Sequence, residues 1–444
     1  MTSRHRYIAL GSSKINDESF GISQSDLRRH LFTIGTTGSG KSTLLEGIAI
    51  QLIHQNAGLT FLDPHGDSAE RLLNAIPNHR IQDVIYFNAA DLEFPLAFNP
   101  LAVVDSDQRA IVAESIVGAF KGIWGDSWGA RMERIFIIAV QTLLACPGET
   151  ILGINRLFTD PGYRAGIVQR ISDPALRDFW EQEYETWVKR RHDSEYTEPI
   201  KNKVGRLTHN PVTRNILGQS RSKLDLERVV NRGKILIVNL SKGAIGDQIA
   251  NFLGSMLVSS IIDTAMGRGI IPEQNRRDHI LIADEFHSFA TSRFSTALSE
   301  ARKYRLSIVL GQQYLAQLSK QLEDVRHAVF GNVGSFVAFK VGNQDASKIA
   351  EQFDDEYASR SFVELDPHHV IAKLTHLGRT GQPFTGKSLP PLEFDYQNHE
   401  IIVKRSRKFY GTPRKTVEKK NRCWLRYNGT HAKEIRSPKP KRKW

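Results

Sequence analysis

Short runs of consecutive apolar residues recur along the chain and predict buried β-strands. After a first run at Leu31–Ile34, they occur at Leu59–Leu62, Val84–Phe87, Lys234–Leu240, His279–Ala283, Leu306–Leu310 and Ser335–Phe339. Continuous rather than alternating apolar runs are typical of parallel strands that are covered on both faces. Helical patterns separate several of the runs, at Asp247–Met266, Phe294–Tyr304 and Asp345–Gln352. Strands that alternate with helices predict an α/β fold with a mostly parallel sheet.

The strand pattern stops between about Asp105 and Leu226. Amphipathic, charged helical patterns take its place, at Gln108–Phe120, Ala130–Ala145, Pro174–Arg191 and Glu198–Asn210. They indicate either a helical insertion into the sheet domain or a separate all-α domain. We therefore predict a first part of the α/β domain at 1–104, an inserted all-α domain at 105–226, a second part of the α/β domain at 227–392 and a basic tail at 393–444.

The composition favours a soluble protein in a reducing compartment. Two cysteines, Cys146 and Cys423, argue against a disulfide framework or a zinc site in a chain of 444 residues. No apolar run reaches the roughly 18 residues that a membrane span needs. The first residues also lack the apolar core of a signal peptide. We expect a cytoplasmic protein.

The net charge of +12 is concentrated at the end of the chain. Residues 404–444 contain sixteen Lys or Arg and two Glu, a net charge of +14, so residues 1–403 carry −2. Tyr410, Trp424 and Tyr427 lie between these charges, a pattern that favours nucleic-acid binding. A solubilising terminus and a contact with an anionic membrane are the alternatives.

The apolar run Leu31–Ile34 leads into the pattern G-x-x-x-x-G-K-S, and a helical pattern follows. A strand, a glycine-rich loop and a helix in this order form the context in which such a pattern binds nucleotide phosphates. Lys41 would reach the β- and γ-phosphates of ATP, and the Ser42 hydroxyl would bind Mg²⁺. The predicted nucleotide-binding residues are Gly35, Thr36, Thr37, Gly38, Ser39, Gly40, Lys41, Ser42 and Thr43.

Two adjacent acids, Asp284 and Glu285, follow the apolar run His279–Ala283. Ligands of parallel sheets bind at the carboxyl ends of the strands, where this pair is predicted to lie. Asp284 is predicted to hold Mg²⁺, and Glu285 is predicted to activate the water that attacks the γ-phosphate. An acidic pair after a strand also occurs at helix N-termini, so the assignment depends on the presence of the phosphate loop.

Two further segments are candidates for the same site. The run Leu306–Leu310 ends in Gly311-Gln312-Gln313, where a glutamine would contact the γ-phosphate and the attacking water. Gln312 is preferred because it lies nearer the strand end, and Gln313 stays open as the alternative. The segment Asp63-Pro64-His65-Gly66-Asp67 lies near the metal, forms a turn that caps a helix, or does both.

Phosphoryl transfer commonly uses an additional positive charge, often supplied by a neighbouring subunit. Arg302 is the first candidate for this role, and Lys303, Arg131 and Arg134 are alternatives. Most arginines on helices lie on solvated faces, which is the competing interpretation.

Taken together, these motifs resemble the TraG/TraD type of type IV secretion coupling proteins, within the HerA/FtsK group of DNA-pumping ATPases. The resemblance extends from about Tyr7 to Pro391. It depends on motifs in the same order, at Gly35–Ser42, Asp63–Asp67, Phe98–Leu101, Ser127–Glu133, Gly233–Asn239, Ala283–Phe286, Ser299–Tyr304 and Gly311–Tyr314. It implies a RecA-like P-loop domain with an inserted all-α domain, a homohexameric ring, and ATP-driven movement of DNA.

One departure from the family pattern affects the expected location. Membrane-embedded coupling proteins carry N-terminal spanning helices, whereas this sequence starts almost directly at the ATPase motifs. We expect a DNA translocase of conjugative transfer that docks on a membrane secretion channel and a relaxase through partner contacts. The alternatives are a nucleotide-gated adaptor that recruits a relaxase without moving DNA, and a HerA-like motor in DNA repair or phage DNA handling.

Overall fold

The computed structural model describes residues 7–14, 17–102, 104–318, 322–394 and 396–426. Its contacts divide the chain into two compact units. Unit 1 comprises the described residues of Met1–Ala97, Gly118–Ser127 and Lys223–Thr412, and unit 2 comprises those of Phe98–Val117, Trp128–Ser222 and Pro413–Trp444. This division differs from the predicted limits near Gly118–Ser127, which belongs to unit 1, and after Thr412, where the chain returns to unit 2.

Unit 1 is built on one sheet of eleven strands among the described residues. The strands are β1 Tyr7–Ser13, β2 Ser19–Ser23, β3 Leu31–Ile34, β4 Gly58–Asp63, β5 Val84–Asn88, β6 Ile235–Asn239, β7 His279–Ala283, β8 Leu306–Gln312, β9 Ser335–Ala338, β10 His369–Lys373, and β13 Phe384–Ser388, with β11 Thr375–His376 and β12 Arg379–Thr380 as a separate short hairpin. Their order is β2-β1-β13-β10-β9-β3-β8-β7-β4-β6-β5.

The seven strands from β9 to β5 run parallel to their neighbours, so their carboxyl ends meet at one edge of the sheet. Every residue of β4, β6, β7, β8 and β9 is buried, as expected for strands covered on both faces. The predicted α/β fold with a mostly parallel sheet is therefore confirmed. β10, β13, β1 and β2 extend the sheet with antiparallel pairs. These four strands are not among the continuous apolar runs of the sequence, and β1, β2 and β13 mix buried with exposed positions.

Helices account for most of the remaining described chain. They are α1 Gln24–Leu27, α2 Lys41–His54, α3 Asp67–Asn74, α4 Arg109–Trp124, α5 Ala130–Leu144, α6 Gly153–Thr159, α7 Pro161–Val168, α8 Pro174–Asp178, α9 Glu185–Arg190, α10 Asp193–His209, α11 Pro211–Leu217, α12 Leu226–Asn231, α13 Lys242–Ile245, α14 Asp247–Met266, α15 Arg293–Glu300, α16 Glu323–Asn332, α17 Asn343–Gln352, α18 Ser359–Val363, α19 His399–Phe409 and α20 Arg414–Arg426. A π-helical turn, Phe179–Tyr184, joins α8 to α9.

Helix α14 combines length with apolarity. By length and composition the segment Asp247–Ile270 is long and apolar enough to cross a membrane, the one such helix among the described residues. However, 67% of its apolar window is buried inside the protein. Its residues Phe252 and Leu257 are fully buried, and the Phe252 ring lies against the Phe120 ring of α4. A central helix of an α/β core has this composition.

Unit 2 is all-helical in its described part and has its own aromatic core. Trp180 and Tyr184 are almost fully buried, and the rings of Phe158 and Phe179 lie against them. The Trp180 Nε1–H donates to Thr142 Oγ1 on α5 at 2.8 Å, so the buried indole nitrogen is satisfied.

Much of the region predicted to be a basic tail is folded. In unit 1, Ile402 of α19 is fully buried and Ser406 Oγ accepts the Tyr86 N–H of β5 at 3.0 Å. In unit 2, Val417 and Asn421 of α20 are buried, and Trp424 lies under the Arg156 guanidinium. The apolar positions of the two helices were hidden in the sequence by the surrounding Lys and Arg residues. Tyr427 and the rest of 427–444 lie outside the described residues.

Candidate nucleotide site

The phosphate loop joins β3 to α2 and is held between two neighbouring strands. The Gly35 N–H donates to the Gln312 carbonyl of β8 at 3.1 Å, and the Thr36 N–H donates to the Lys340 carbonyl just after β9 at 2.8 Å. The loop then leads into α2. The N–H groups in the first turn of this helix point along the helix axis toward the loop. The N-terminus of α2 is therefore placed to bind an anion.

Two glycines of the loop are required by its geometry. A Cβ at Gly35 would lie 2.6 Å from the Phe339 Cβ and 2.7 Å from Ser39 Oγ, closer than packed atoms approach. Gly40, the residue before Lys41, has φ of 111°, which side chains rarely allow. The loop conformation that cradles phosphate is thus available only with glycine at these positions.

The metal-binding pair predicted from the sequence is brought together by adjacent elements. Ser42 Oγ at the start of α2 donates to Asp284 Oδ2 at 2.6 Å, and Lys41 Nζ lies 4.0 Å from Asp284 Oδ1. Lys41 and Asp284 are both buried. Hydroxyl and carboxylate oxygens are the ligands that Mg²⁺ prefers. The two side chains consequently suit one Mg²⁺ beside the phosphate loop.

Glu285 follows Asp284 but faces different partners. Its backbone lies in the left-handed region, with φ 47° and ψ 50°. Glu285 Oε1 is 3.3 Å from His65 Nε2 and accepts a short hydrogen bond from Gln313 Nε2, while Oε2 is 3.7 Å from Lys242 Nζ. Burial alone would raise the pKa of Glu285, but the His65 hydrogen bond and the positive charges outweigh it, and the pKa is lowered. The carboxylate is therefore kept ionised in a mostly buried position.

The two candidate glutamines at the end of β8 have different surroundings. Gln312 is fully buried within the sheet, and its Nε2 donates to the Tyr314 carbonyl at 2.8 Å. Its Oε1 has no hydrogen-bond partner among the described residues. The side chain that contacts Glu285 is that of Gln313. Successive side chains of a strand point to opposite faces, so only one of the pair can face the acids.

The segment that ends β4 forms a turn into α3 and also reaches the Glu285 carboxylate. Asp63 accepts the His65 N–H at 2.8 Å and the Ala69 N–H at 2.9 Å, so it stabilises the turn into α3. Burial raises the pKa of Asp63, although these N–H groups oppose the shift. His65, which is 57% exposed, reaches the Glu285 carboxylate. Asp63 thus shapes the turn, and His65 belongs to the site.

Within unit 1, the candidates Arg302 and Lys303 lie away from this chain's own phosphate loop. Arg302 is exposed in the turn Ala301–Tyr304, just before the amino end of β8, whereas the loop lies at the carboxyl ends of the strands. Exposed Lys303 occupies the same turn. In unit 2, the Arg134 guanidinium forms a bidentate salt bridge with the Glu183 carboxylate, with both N–O distances 2.7 Å. The Arg131 guanidinium carbon lies 4.6 Å from the centre of the Tyr196 ring.

Five neighbouring strands supply the site. In the order β3-β8-β7-β4-β6, their carboxyl ends carry the phosphate loop, Gln313, the pair Asp284-Glu285, His65 and Lys242. Lys242 is not predicted from the sequence, because a lone lysine after an apolar run has no distinctive pattern. Its only sequence signal is its position beyond a predicted parallel strand.

Two segments of the chain match known protein families. Residues 15–114 match the family described as the central domain of the helicase HerA, and residues 279–364 match the family described as the TraM recognition site of TraD and TraG. The chain is 23% identical over 397 residues to the type 4 coupling protein DotL of Legionella pneumophila, covering 75% of this chain. It spans half the length of that relative.

Two solved structures share the fold. The conjugative coupling protein TrwBdeltaN70 is 14% identical with a TM-score of 0.60, and the match covers 88% of this chain and 91% of that one. VirB4 of Thermoanaerobacter pseudethanolicus is also 14% identical, with a TM-score of 0.59 and coverages of 86% and 96%. The resemblance indicated by the motifs is therefore confirmed: two segments match families named for HerA and for TraD and TraG, and the chain is similar to coupling proteins over most of its length.

Proposed function

We propose that this chain is the ATPase of a DNA translocase of the coupling-protein type, acting in conjugative or related mobile-element transfer. The observation that carries the proposal is the 2.6 Å contact between Ser42 of the phosphate loop and Asp284, with Glu285 next to it. In this proposal Asp284 holds the metal and Glu285 activates a water molecule, the two tasks that ATP hydrolysis requires. TrwB, which shares the fold, has been solved with ADP and Mg²⁺ and with a non-hydrolysable ATP analogue.

The residues of the site divide the work of hydrolysis. The loop N–H groups and Lys41 bind the phosphates of ATP, while Ser42 and Asp284 hold Mg²⁺. Bound Mg²⁺ supplies positive charge that stabilises the transferring phosphoryl group. Glu285 accepts the proton of the attacking water, and Gln313, rather than the buried Gln312, orients that water beside it.

The remaining proposals concern the oligomer, its contact with DNA and its protein partners. We propose a homohexamer in which Arg302, exposed and far from its own phosphate loop, completes the site of a neighbouring subunit. The basic residues of 404–444 contact the DNA backbone without sequence preference. A relaxase and a membrane secretion channel are the proposed protein partners, which would hold the complex at the cytoplasmic side of the inner membrane.

Glu285→Gln tests the hydrolytic step. The amide cannot accept a proton from water, so we expect kcat for DNA-stimulated ATP hydrolysis to fall about 100- to 10,000-fold. Binding of a fluorescent ATP analogue with Mg²⁺ should change little because Glu285 is not in the phosphate loop. Unchanged hydrolysis in this variant would contradict the assignment.

A nucleotide-gated adaptor is the second candidate. The match of residues 279–364 to a family named for TraM recognition favours a role in partner capture. Such an adaptor would bind its partner in a nucleotide-dependent manner without DNA-stimulated hydrolysis. The retained Asp284-Glu285 pair favours the motor, since an adaptor does not need a water-activating acid.

A HerA-like motor in DNA repair or phage DNA handling shares the same hydrolytic site. The match of residues 15–114 to the HerA central domain favours it. Transfer of a mobile element that depends on this chain would separate the conjugative role from these alternatives.

A further inference from the structure

The Glu285 carboxylate is held by three side chains from three different loops. We call His65, Lys242 and Gln313 the Glu285 clamp; they follow β4, β6 and β8. The site motifs predict the acid itself, but none of them accounts for a lysine after β6. Lys242 and Glu285 are both mostly buried, with side chains 15% and 10% exposed. A charged pair that is shielded from water in this way interacts more strongly than one on the surface.

The backbone around Lys242 is built to direct this side chain. Ser241, the residue before it, has φ 27° and ψ 70°, a conformation that residues other than glycine rarely adopt. The Lys242 N–H donates to the Pro64 carbonyl at 2.8 Å, and the Leu240 N–H donates to the Asp63 carbonyl at 3.0 Å. The loop after β6 is thereby fastened to the loop that carries His65.

Glu285 itself has a left-handed backbone, with φ 47°. Strained non-glycine residues persist where the surrounding structure holds them, and they concentrate at functional sites. Here two of them, Ser241 and Glu285, lie at the ends of β6 and β7. Together they orient a lysine and a carboxylate toward each other.

The Lys242 ammonium has a second partner that fixes its direction. Lys242 Nζ donates to Ser288 Oγ at 2.7 Å, three residues beyond Glu285. The lysine thus bridges the turn that follows β7 as well as the carboxylate. Because Ser288 is also buried, the ammonium is held from both sides.

We propose that Lys242 and His65 are positioning residues for Glu285, which fix its ionised carboxylate at the place where it activates water. The proposal rests on the proposed function. A glutamate side chain has three rotatable bonds, and small displacements of a catalytic group can reduce a rate about 100-fold. Neither residue belongs to the phosphate loop, so their loss should act on kcat rather than on nucleotide binding.

Two pairs of variants test the clamp. Lys242→Met keeps the length of the side chain but removes its charge, and Lys242→Arg retains a cationic donor. His65→Ala removes the imidazole, and His65→Gln retains a neutral donor. We expect kcat for ATP to fall about 10- to 100-fold in Lys242→Met and less in His65→Ala, with KM within about threefold of wild type. The conservative variant of each pair should recover most of the lost rate.

The double variant Lys242→Met/Glu285→Gln adds a second readout. If Lys242 acts through Glu285, the double variant should be no slower than Glu285→Gln alone. Lys348→Met, at an exposed position of α17, serves as the matched control. His65 is 57% exposed, so His65→Ala and His65→Gln test the clamp even if Lys242→Met fails to fold.

The outcomes separate the clamp from the proposed function. Absence of hydrolysis in the folded wild-type protein with DNA would overturn the proposed function. Hydrolysis that is lost in Glu285→Gln but stays within twofold of wild type in Lys242→Met and His65→Ala would overturn the clamp alone. A loss in nucleotide binding equal to the loss in kcat, or additive losses in the double variant, would also overturn it.

Discussion

At the scale of single residues, two neighbouring carboxylates have different contacts and therefore different proposed roles. Asp284 and Glu285 are adjacent acids, yet Asp284 contacts Ser42 and Lys41, whereas Glu285 contacts His65 and Lys242. The left-handed backbone at Glu285 turns the second carboxylate away from the first. The sequence predicts Asp284 as the metal ligand and Glu285 as the base, and the structure gives each acid its own set of partners.

Buried histidines make the stability of unit 1 sensitive to acid. His30, just before β3, is almost fully buried, and its Nδ1 accepts the Ile308 N–H at 3.1 Å. Burial lowers its pKa to about 4. An unfolded histidine binds a proton below about pH 6.5, so between the two values the unfolded state holds more protons. The stabilisation is present above pH 6.5 and is lost as the pH falls toward 4.

We therefore expect His30→Asn to flatten the acid side of the stability profile. Below pH 6.5, each such histidine reduces the free energy of unfolding by about 1.4 kcal/mol per pH unit. Denaturant unfolding at pH 7.5, 6.0 and 5.0 measures how the free energy of unfolding changes with pH. In the variant this slope should be smaller by the contribution of about one proton. His327→Asn, at an exposed position of α16, should keep the wild-type slope. Equal slopes in wild type and His30→Asn would contradict the expectation.

At the scale of elements, helix α19 shows how a basic segment becomes part of a core. The sequence predicts a basic tail at 393–444 because Lys and Arg dominate the composition of this region. In the structure, Ile402 is fully buried against the sheet, while neighbouring Ile401 is 53% exposed. A helix needs few apolar positions to pack one face, and one turn of α19 provides them. Charge composition therefore did not reveal the packing.

The pair Ile401 and Ile402 provides a matched test of that packing. Ile402→Ala should reduce the free energy of unfolding by about 2–5 kcal/mol, since it removes buried methyl and methylene groups and leaves a cavity. Ile401→Ala should change it by no more than about 0.5 kcal/mol. Denaturant melts of both variants measure the difference. Similar small effects at the two positions would mean that α19 does not pack on unit 1 in solution.

At the scale of the whole molecule, the proposed machine depends on contacts between copies. Arg302 lies at the amino end of β8 and the phosphate loop at the carboxyl ends of the strands, so an arginine of one subunit can serve only another subunit's site. Arg302→Ala should reduce kcat about 1,000-fold or more if this arginine stabilises the transition state. Arg360→Ala, at an exposed position of α18, is the control.

Mixed assemblies test the action between subunits directly. Arg302→Ala subunits retain Glu285, and Glu285→Gln subunits retain Arg302, so neighbours of the two kinds form complete sites. We expect a mixture of the two inactive variants to recover measurable ATPase activity. A mixture that stays as inactive as its components, while native mass measurement shows mixed rings, would contradict a role for Arg302 in trans.

The basic C-terminal residues should contribute to DNA affinity through charge alone. Deleting 427–444 removes six Lys or Arg residues and leaves α19 and α20 in place. Each lost phosphate contact reduces the slope of log affinity against log salt by about 0.9, so the slope should fall by up to about 5. Fluorescence anisotropy over a salt series measures it, with DNA-independent ATPase activity as the control. An unchanged slope would exclude these residues as a DNA contact.

The sequence by itself determined the features that a few consecutive residues encode. The phosphate loop, the acids after β7, the seven parallel strands and the long helix α14 follow from local patterns of glycine, charge and burial. The antiparallel strands and the packing of α19 and α20 escaped the sequence because their apolar positions are sparse.

The tertiary structure alone decided which distant residues meet. Lys242 reaches Glu285 because β6, β4 and β7 are neighbours in the sheet, although 43 positions separate the two residues in the chain. The different surroundings of Gln312, the last residue of β8, and of Gln313, just beyond it, likewise depend on which side of the sheet each side chain faces. Local sequence sets the chemistry available at each strand end, and the order of strands sets which of these groups share a site.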